Sequence, residues 1–242
     1  MSRSRRAQAP LAVALIAAVA LISGPWGAST GRMRPVLAAP GTAGDPSRGQ
    51  RLFLRLDCIR CHSEPRTAGG INVPPSLSLA GSRARATWMA EYLLDPQPLR
   101  YRSDGVLPDL RMPRTARSRE DAVDLAAFLA GQIDTLLIPS LPEAFVGWDE
   151  DSLAAEGAIL FEQYQCRGCH ELGGSGQRVG PQLDEVGTRR RPEYLRALLL
   201  DPPRVVPGTS MKDFDLWEQE ANALVAFLVA AALQGRQELS RE

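Results

Sequence analysis

Apolar side chains recur along this chain at the spacing of helices that bury one face, and they do so twice. Such stripes lie at 123–129 and 224–228, and each is suited to packing against a neighbouring element. Two more helices are predicted at 87–94 and 191–200. Each ends at an Asp-Pro pair, because the residue before proline is pushed out of the helical region. No segment alternates polar and apolar residues as a strand does, so we predict an all-α fold.

Polar residues and prolines mark where the remaining helices begin. Pro46 suits the first turn of a helix over 46–56, since its missing N–H would be unpaired there in any residue. A matching helix is predicted at 153–164. Ser118 followed by Asp121 forms a capping-box pattern ahead of the apolar stripe at 123–129. Asp215 and Glu218 are predicted to repeat this pattern at the second stripe.

The predicted helices fall into two copies of one unit. An offset of 108 aligns Gly49 with Gly157 and Phe53 with Phe161, and the offset falls to 106 and then to 99 farther along. Three blocks in the same order, separated by two shortened loops, indicate an internal duplication. The further equivalent pairs are Pro75 and Pro181, Leu77 and Leu183, Gly81 and Gly187, Asp95 and Asp201, Met112 and Met211, and Phe128 and Phe227. We therefore predict domains at 40–138 and 139–242. We also predict that the linker 133–148, with its apolar residues, packs against the protein, and that the two domains are docked.

The first 39 residues have the pattern of a targeting segment. Arg3, Arg5 and Arg6 precede an apolar run over residues 11–22, which Ser23, Gly24 and Pro25 close. This pattern is typical of a secretory signal, and the run is short for a membrane span of about 17–25 residues. Small residues suited to cleavage come late, near Ala38 and Ala39. We predict either a cleaved signal peptide or an N-terminal membrane anchor over residues 11–24, and in both cases a periplasmic or otherwise extracytoplasmic protein.

Charge differs between the two copies, although the whole chain has no net charge. Residues 45–134 carry 13 Arg and 11 acidic residues (+2), whereas residues 143–242 carry 10 basic and 17 acidic residues (−7). Either these are ordinary solvated surfaces, or the copies face partners of different charge. Neither copy has the basic stripe of a nucleic-acid-binding protein.

All four cysteines and both histidines lie in two Cys-x-x-Cys-His motifs, one in each copy. The first contains Cys58, Cys61 and His62, and the second contains Cys166, Cys169 and His170. The motif is the attachment signature of c-type haem, in which two thiols bind the porphyrin and the histidine binds iron. A thiol-redox site does not explain the histidine, and zinc sites usually bring their pairs closer in sequence. We predict two covalently bound haem c groups.

The sixth iron ligand must then come from a third residue type, since the motifs use every His and Cys. Methionine is the strong candidate that remains, and it raises the haem potential. Met112 and Met211 are equivalent to each other, and both lie before the last helix of their copy. Met89 has Leu195 as its equivalent, so we predict that it fills the core. The predicted iron ligands are His62, Met112, His170 and Met211.

Each copy resembles a class I cytochrome c domain, and the pair resembles the dihaem cytochromes c, including the cytochrome c4 type. The resemblance covers residues 45 to about 233. It implies that each domain wraps around one haem, and that its N-terminal helix crosses its C-terminal helix at a glycine and an aromatic residue. Gly49 and Phe53 match this feature in the first copy, and Gly157 and Phe161 match it in the second.

The resemblance also implies a Gly-Pro-x-Leu loop whose proline carbonyl accepts the Nδ1 proton of the haem-binding histidine. Residues 180–183 match fully, so Pro181 is expected to serve His170. In the first copy Pro74 replaces the glycine, and Pro75 is expected to serve His62. A longer loop before Met112 carries Arg100, Arg102 and Arg111. Either one of these arginines, together with Tyr101, screens a haem propionate, or they are ordinary solvated loop charges.

A haem closed by His and Met has no open position, so the expected function is exported electron transfer and not catalysis. The expected donor is a quinol-oxidising complex or a dehydrogenase, and the expected acceptor is an oxidase or a soluble cytochrome. One alternative is a redox subunit of a larger dehydrogenase complex. A less favoured one is a dihaem enzyme of the peroxidase or thiosulfate-oxidising type, which would need an open or labile iron position.

Overall fold

A computed structural model describes residues 44–62, 74–99, 112–141 and 150–239 of the chain. Most of these residues are helical, as the sequence predicts. The predicted targeting segment and the loop containing Arg100, Tyr101, Arg102 and Arg111 lie outside the described residues. So do residues 142–149 of the linker.

The first copy contributes four α-helices within these ranges, and the second contributes five. The longer helices form the frame of each copy, and the four-residue helices connect them. In the first copy they are α1 (Pro46–Arg55), α2 (Ala80–Arg83), α3 (Ala86–Leu94) and α4 (Arg119–Ala130). In the second copy they are α5 (Glu150–Gln163), α6 (Val186–Arg189), α7 (Pro192–Leu200), α8 (Pro202–Val205) and α9 (Glu218–Leu239).

The first and last helices of each copy cross at a glycine, as the resemblance implies. A Cβ on Gly49 would lie 2.0 Å from the carbonyl oxygen of Asp124, and a Cβ on Gly157 would lie 2.0 Å from that of Ala223. Glycine is required at both positions, because any side chain would collide with the backbone of the opposite helix. In both copies the first and last helices therefore approach each other equally closely at the glycine.

Aromatic pairs beside the crossings reproduce the duplication in detail. The rings of Phe53 and Phe128 have centroids 5.2 Å apart and planes tilted by 53°, and the rings of Phe161 and Phe227 have the same separation and tilt. Tilted pairs at this distance are favourable beyond the area they bury. Around each pair the buried apolar residues form a separate core, one in each copy.

The two crossings differ in one buried charge. In the first copy Asp124 is only 5 % exposed. It accepts a hydrogen bond from the Asp45 backbone N–H at 2.7 Å and pairs with the guanidinium of Arg48. The equivalent residues in the second copy are Glu156 and Ala223, so that crossing has no corresponding buried ion pair among the described residues.

Helix capping agrees with the prediction in the first copy and differs in the second. The Asp45 side chain accepts from the N–H of Ser47 at the start of α1, and the Ser118 hydroxyl accepts from the N–H of Asp121 at the start of α4. Asp215 and Glu218 do not form the predicted cap. Instead, the Glu220 carboxylate accepts from the N–H of Trp217 at 2.9 Å, and Asp215 has a left-handed backbone with φ of 52°.

The two copies contact each other through equivalent segments. Ala84 and Arg190 form an isolated antiparallel β-bridge, and they are equivalent residues at the offset of 106. Two flanking backbone hydrogen bonds are reciprocal, with lengths of 3.1 and 3.3 Å: Arg85 to Arg189, and Arg191 to Arg83. Contact of equivalent positions with each other is the pattern of a two-fold interface. The prediction that the copies dock is confirmed.

The start of the linker packs on the second copy. Ile138 is 5 % exposed and belongs to the core of the second copy, although it is the last residue of the predicted first domain. Leu137 packs against the same core, and the carbonyl of Leu136 accepts a hydrogen bond from Arg204 at 2.9 Å. No helix in the described ranges is both long enough and apolar enough to cross a membrane.

Candidate haem-binding sites

Each Cys-x-x-Cys-His motif begins at a backbone reversal directly after the first helix of its copy. Asp57 and Gln165 are equivalent residues with left-handed backbones, at φ of 52° and 55°. A 3₁₀ turn follows each of them, over Cys58–Arg60 and Cys166–Gly168. Non-glycine residues rarely adopt this conformation and often mark functional sites when they do.

Each turn is closed by a backbone hydrogen bond between the first cysteine and the histidine of its motif. The N–H of His62 donates to the carbonyl of Cys58, and that of His170 donates to Cys166, both at 3.0 Å. The two thiols and the imidazole of each motif therefore start from a single turn of backbone.

Both histidines donate a hydrogen bond from Nδ1 to the proline carbonyl that the resemblance implies. The Nδ1 atom of His62 lies 2.8 Å from the oxygen of Pro75, and that of His170 lies 2.8 Å from the oxygen of Pro181. With the proton on Nδ1, the lone pair of the neutral ring is on Nε2, the nitrogen that can bind a metal. The replacement of glycine by Pro74 does not prevent this bond.

The ring of His170 lies against Gly180. A Cβ on this glycine would be 2.4 Å from Cε1 and 2.7 Å from Nδ1 of the imidazole. Burial lowers the pKa of His170, and the hydrogen bond to Pro181 acts in the opposite direction. A lowered pKa favours the neutral imidazole, which is the form that binds metals.

The cysteines of the two motifs are not joined in disulfides. All four cysteines are free, and within the described ranges no group of three or more His, Cys, Asp or Glu side chains is suited to a metal ion. Burial raises the pKa of the Cys166 thiol to about 11, and it also raises that of Cys58. Two free thiols and one oriented imidazole per copy fit a covalently bound haem c.

A short β-hairpin follows the second motif, and the sequence prediction missed it. Strand β1 (Glu171–Leu172) pairs antiparallel with β2 (Ser175–Gly176). Gly173 and Gly174 connect them at φ of 61° and 70°. Two adjacent glycines between short segments are the recognised signal for such a turn, so the hairpin could have been predicted from residues 171–176.

Arg167 lies between the two cysteines of the second motif, and its hydrogen bonds connect the 3₁₀ turn Cys166–Gly168 to this hairpin. Its guanidinium donates to the carbonyls of Leu172 and Ser175, at 2.7 and 2.9 Å, and to the Glu162 carboxylate at 2.7 Å. The next residue after His170, Glu171, is buried and pairs with Arg178 at 2.8 Å. These contacts hold the backbone on both sides of His170. The residue types alone did not allow these contacts to be predicted.

The two predicted methionine ligands lie at equivalent places in the fold. Met112 is seven positions before the start of α4, and Met211 is seven positions before the start of α9. Both are half-buried. Met112 packs against the first core, and the backbone N–H of Met211 donates to Thr209 at 3.1 Å. Met89, predicted to fill the core, is 5 % exposed and belongs to it.

Comparisons with protein families agree with this geometry. Residues 46–132 match the family model described as cytochrome c, and residues 152–228 match the model described as cytochrome c oxidase, cbb3-type, subunit III. The chain contains two cytochrome c domains in tandem. Cytochrome c domains imply covalently bound haem c, and two such domains support a count of two.

Two curated proteins are similar to part of this chain. Cytochrome c oxidase subunit 2 of Alkalihalophilus pseudofirmus is 33% identical over 87 residues, which are 32% of this chain and 25% of that protein. A nitric oxide reductase subunit of Stutzerimonas stutzeri is 35% identical over 78 residues, which are 30% of this chain and 53% of that protein. This chain thus spans only a quarter and about half of the relatives it matches. No solved structure matches it significantly.

Proposed function

We propose that this protein is an exported dihaem cytochrome c that carries single electrons between redox proteins. The observation that carries the proposal is the pair of hydrogen bonds from His62 and His170 to proline carbonyls, each 2.8 Å long. They leave Nε2 of each imidazole for iron, next to two free thiols that can hold the porphyrin. The haem itself supplies a one-electron iron couple.

In this proposal each iron would be held by one histidine and one methionine. His62 and Met112 would hold the first, and His170 and Met211 would hold the second. No further cysteine or histidine is available as a ligand, since the sequence has only four and two of them. Closed coordination suits electron transfer, because no position is free for peroxide or another substrate.

The same sites also fit a second role, as the electron-transfer subunit of a larger complex. The two curated relatives described above are named as subunits, one of an oxidase and one of a reductase. In either role the donor is a quinol-oxidising complex or a dehydrogenase, and the acceptor is an oxidase or another cytochrome. Co-purification of a stoichiometric partner would favour the subunit role.

Export is supported by the haem chemistry and by the N-terminal sequence. An exported chain fits c-type haem attachment, which takes place outside the reducing cytosol. The segment 1–39 either is removed as a signal or holds the protein at the membrane through residues 11–24. N-terminal sequencing of the purified protein distinguishes the two.

Optical spectra of methionine variants test the proposed ligands. Ferric iron bound by methionine sulfur gives a weak absorption band in the red, and we expect two equivalents in the wild-type protein. Met112→Ala and Met211→Ala should each remove half of that band, because each removes one of two sulfur ligands. The matched control is Met89→Leu, at a buried core methionine whose equivalent is Leu195. Full retention of the band in both alanine variants would refute the assignment.

We also expect the two haems to differ in reduction potential. The loop beside His62 contains Pro74 where the second copy has Gly180, and the bond from His62 lies at a more exposed site than the bond from His170. Solvent exposure and hydrogen bonding both tune haem potentials. A spectroscopic redox titration should therefore show two one-electron steps, and a single step of two equivalents would contradict the expectation.

A further inference from the structure

One large apolar side chain lies on the surface six residues after the proposed ligand Met211. Trp217 is 75 % exposed and comes directly before α9. Its equivalent in the first copy is Ser118, the residue that caps α4. The tryptophan therefore contributes little to the core and does not repeat the role of its equivalent.

Charged residues around Trp217 reverse the charge of the equivalent segment. We define the Met211 segment as residues 211–220 and the Met112 segment as residues 112–121, which are equivalent at the offset of 99. Among its exposed charged residues the Met112 segment has three arginines and one glutamate, whereas the Met211 segment has three acidic residues and one lysine. They are Arg114, Arg117, Arg119 and Glu120 in the first, and Asp213, Asp215, Glu218 and Lys212 in the second.

The Met211 segment contacts a residue close to the second Cys-x-x-Cys-His motif. The ring of Phe214 lies edge-on to Tyr164 with centroids 5.8 Å apart, and the Tyr164 hydroxyl donates to Glu220 at 2.8 Å. Tyr164 is two residues before Cys166. The exposed tryptophan and its acidic neighbours therefore sit on a segment braced against the proposed haem site.

We propose that the Met211 segment is a docking surface for a redox protein with a basic surface, with Trp217 as its central anchor. The proposal rests on the proposed electron-transfer function and adds the chemistry of one partner. Tryptophan is one of the residue types enriched among the residues that contribute most to binding at protein interfaces. A surrounding rim of acidic residues speeds encounter with a basic partner and selects against an acidic one. The charge reversal means that the two copies present different surfaces to partners.

The test uses the holoprotein and a strongly basic single-haem cytochrome c as the probe. Binding is measured by titration calorimetry at about 10 mM ionic strength, where charges act over about 30 Å. We expect Trp217→Ala to weaken binding about tenfold or more, because it removes the anchor. The matched control is Ile159→Ala, another exposed apolar residue of the second copy (68 % exposed), which should leave binding unchanged.

A second pair of variants tests the acidic rim. Asp215→Asn combined with Glu218→Gln should weaken binding and reduce its dependence on ionic strength. The control removes two acidic residues elsewhere in the same copy, by Asp151→Asn and Glu185→Gln, both at exposed positions. Equal effects of the two pairs would mean that net charge alone attracts the probe, and this would overturn the proposal.

Three other results would also overturn it. They are an absence of binding to the basic probe, equal binding by wild type and Trp217→Ala, and a change in self-association in place of probe binding. Failure of the proposed function is detected separately, by the haem content and redox titration of the wild-type protein. Two redox-active haems without probe binding would reject only the docking surface.

Discussion

Replacing Gly157 with alanine is expected to destabilise the second copy severely. The new Cβ would lie 2.0 Å from the carbonyl oxygen of Ala223 and 2.8 Å from Cβ of Phe227. Helices α5 and α9 would have to separate, since one of these neighbours is backbone and cannot rotate away. We expect a cost of about 3 kcal/mol, measured as a lower urea midpoint for the loss of helical circular dichroism.

Gly235→Ala is the matched control for this change. Gly235 lies inside α9, and a Cβ there would meet nothing within 4 Å. Alanine is favoured over glycine in a helix by about 1 kcal/mol, so this variant should be slightly more stable than the wild type. Gly49→Ala should resemble Gly157→Ala, because its Cβ meets the Asp124 carbonyl at the same 2.0 Å. Equal stability of Gly157→Ala and Gly235→Ala would contradict the close crossing.

The helical frame could be predicted because the same patterns occur twice in the sequence. The predicted middle helices at 87–94 and 191–200 agree with α3 (Ala86–Leu94) and α7 (Pro192–Leu200) to within one residue. An Asp-Pro pair stops each of these two helices at its C-terminal end, so the local sequence determines where they end. Helix α5 begins three residues earlier than predicted, at Glu150, because acidic residues are also favourable in the first turn of a helix.

The contacts between the copies could not be predicted, because they depend on backbone atoms of distant segments. The bridge between Ala84 and Arg190 joins residues that have no shared side-chain chemistry. Position in the duplication is what relates them, and a two-fold interface places equivalent residues opposite each other. Similarly, the burial of Asp124 becomes apparent only once α1 and α4 are packed together.

The candidate sites also have a part that the sequence predicts and a part that it does not. The motifs and the proline loops are local sequence patterns, and the hydrogen bonds of His62 and His170 lie where those patterns place them. By contrast, the exposure of Trp217 is a property of the folded surface. An apolar residue beside a helical stripe is ordinarily expected to be buried, so no local pattern distinguishes this tryptophan from a core residue.

Removing one pair of cysteines is expected to leave a protein with one covalent haem. Cys166→Ser combined with Cys169→Ser removes both thiols of the second motif, and Cys58→Ser with Cys61→Ser does the same in the first. Each copy has its own buried core, so loss of one haem should not prevent attachment of the other. We expect the covalent haem content to fall from two to one in each variant, measured by intact mass and by the haemochrome spectrum of the denatured protein.

The control for these variants lies inside the motif itself. Gly168 stands between the two cysteines of the second motif, and a Cβ there would meet nothing within 4 Å. Its equivalent in the first motif is Arg60, so a side chain is compatible with the motif at this position. Gly168→Ala should therefore retain two haems. If either serine pair retained two covalent haems, the thiols would not be the attachment points. If either pair lost both haems, the two copies would not mature independently, although each has its own core.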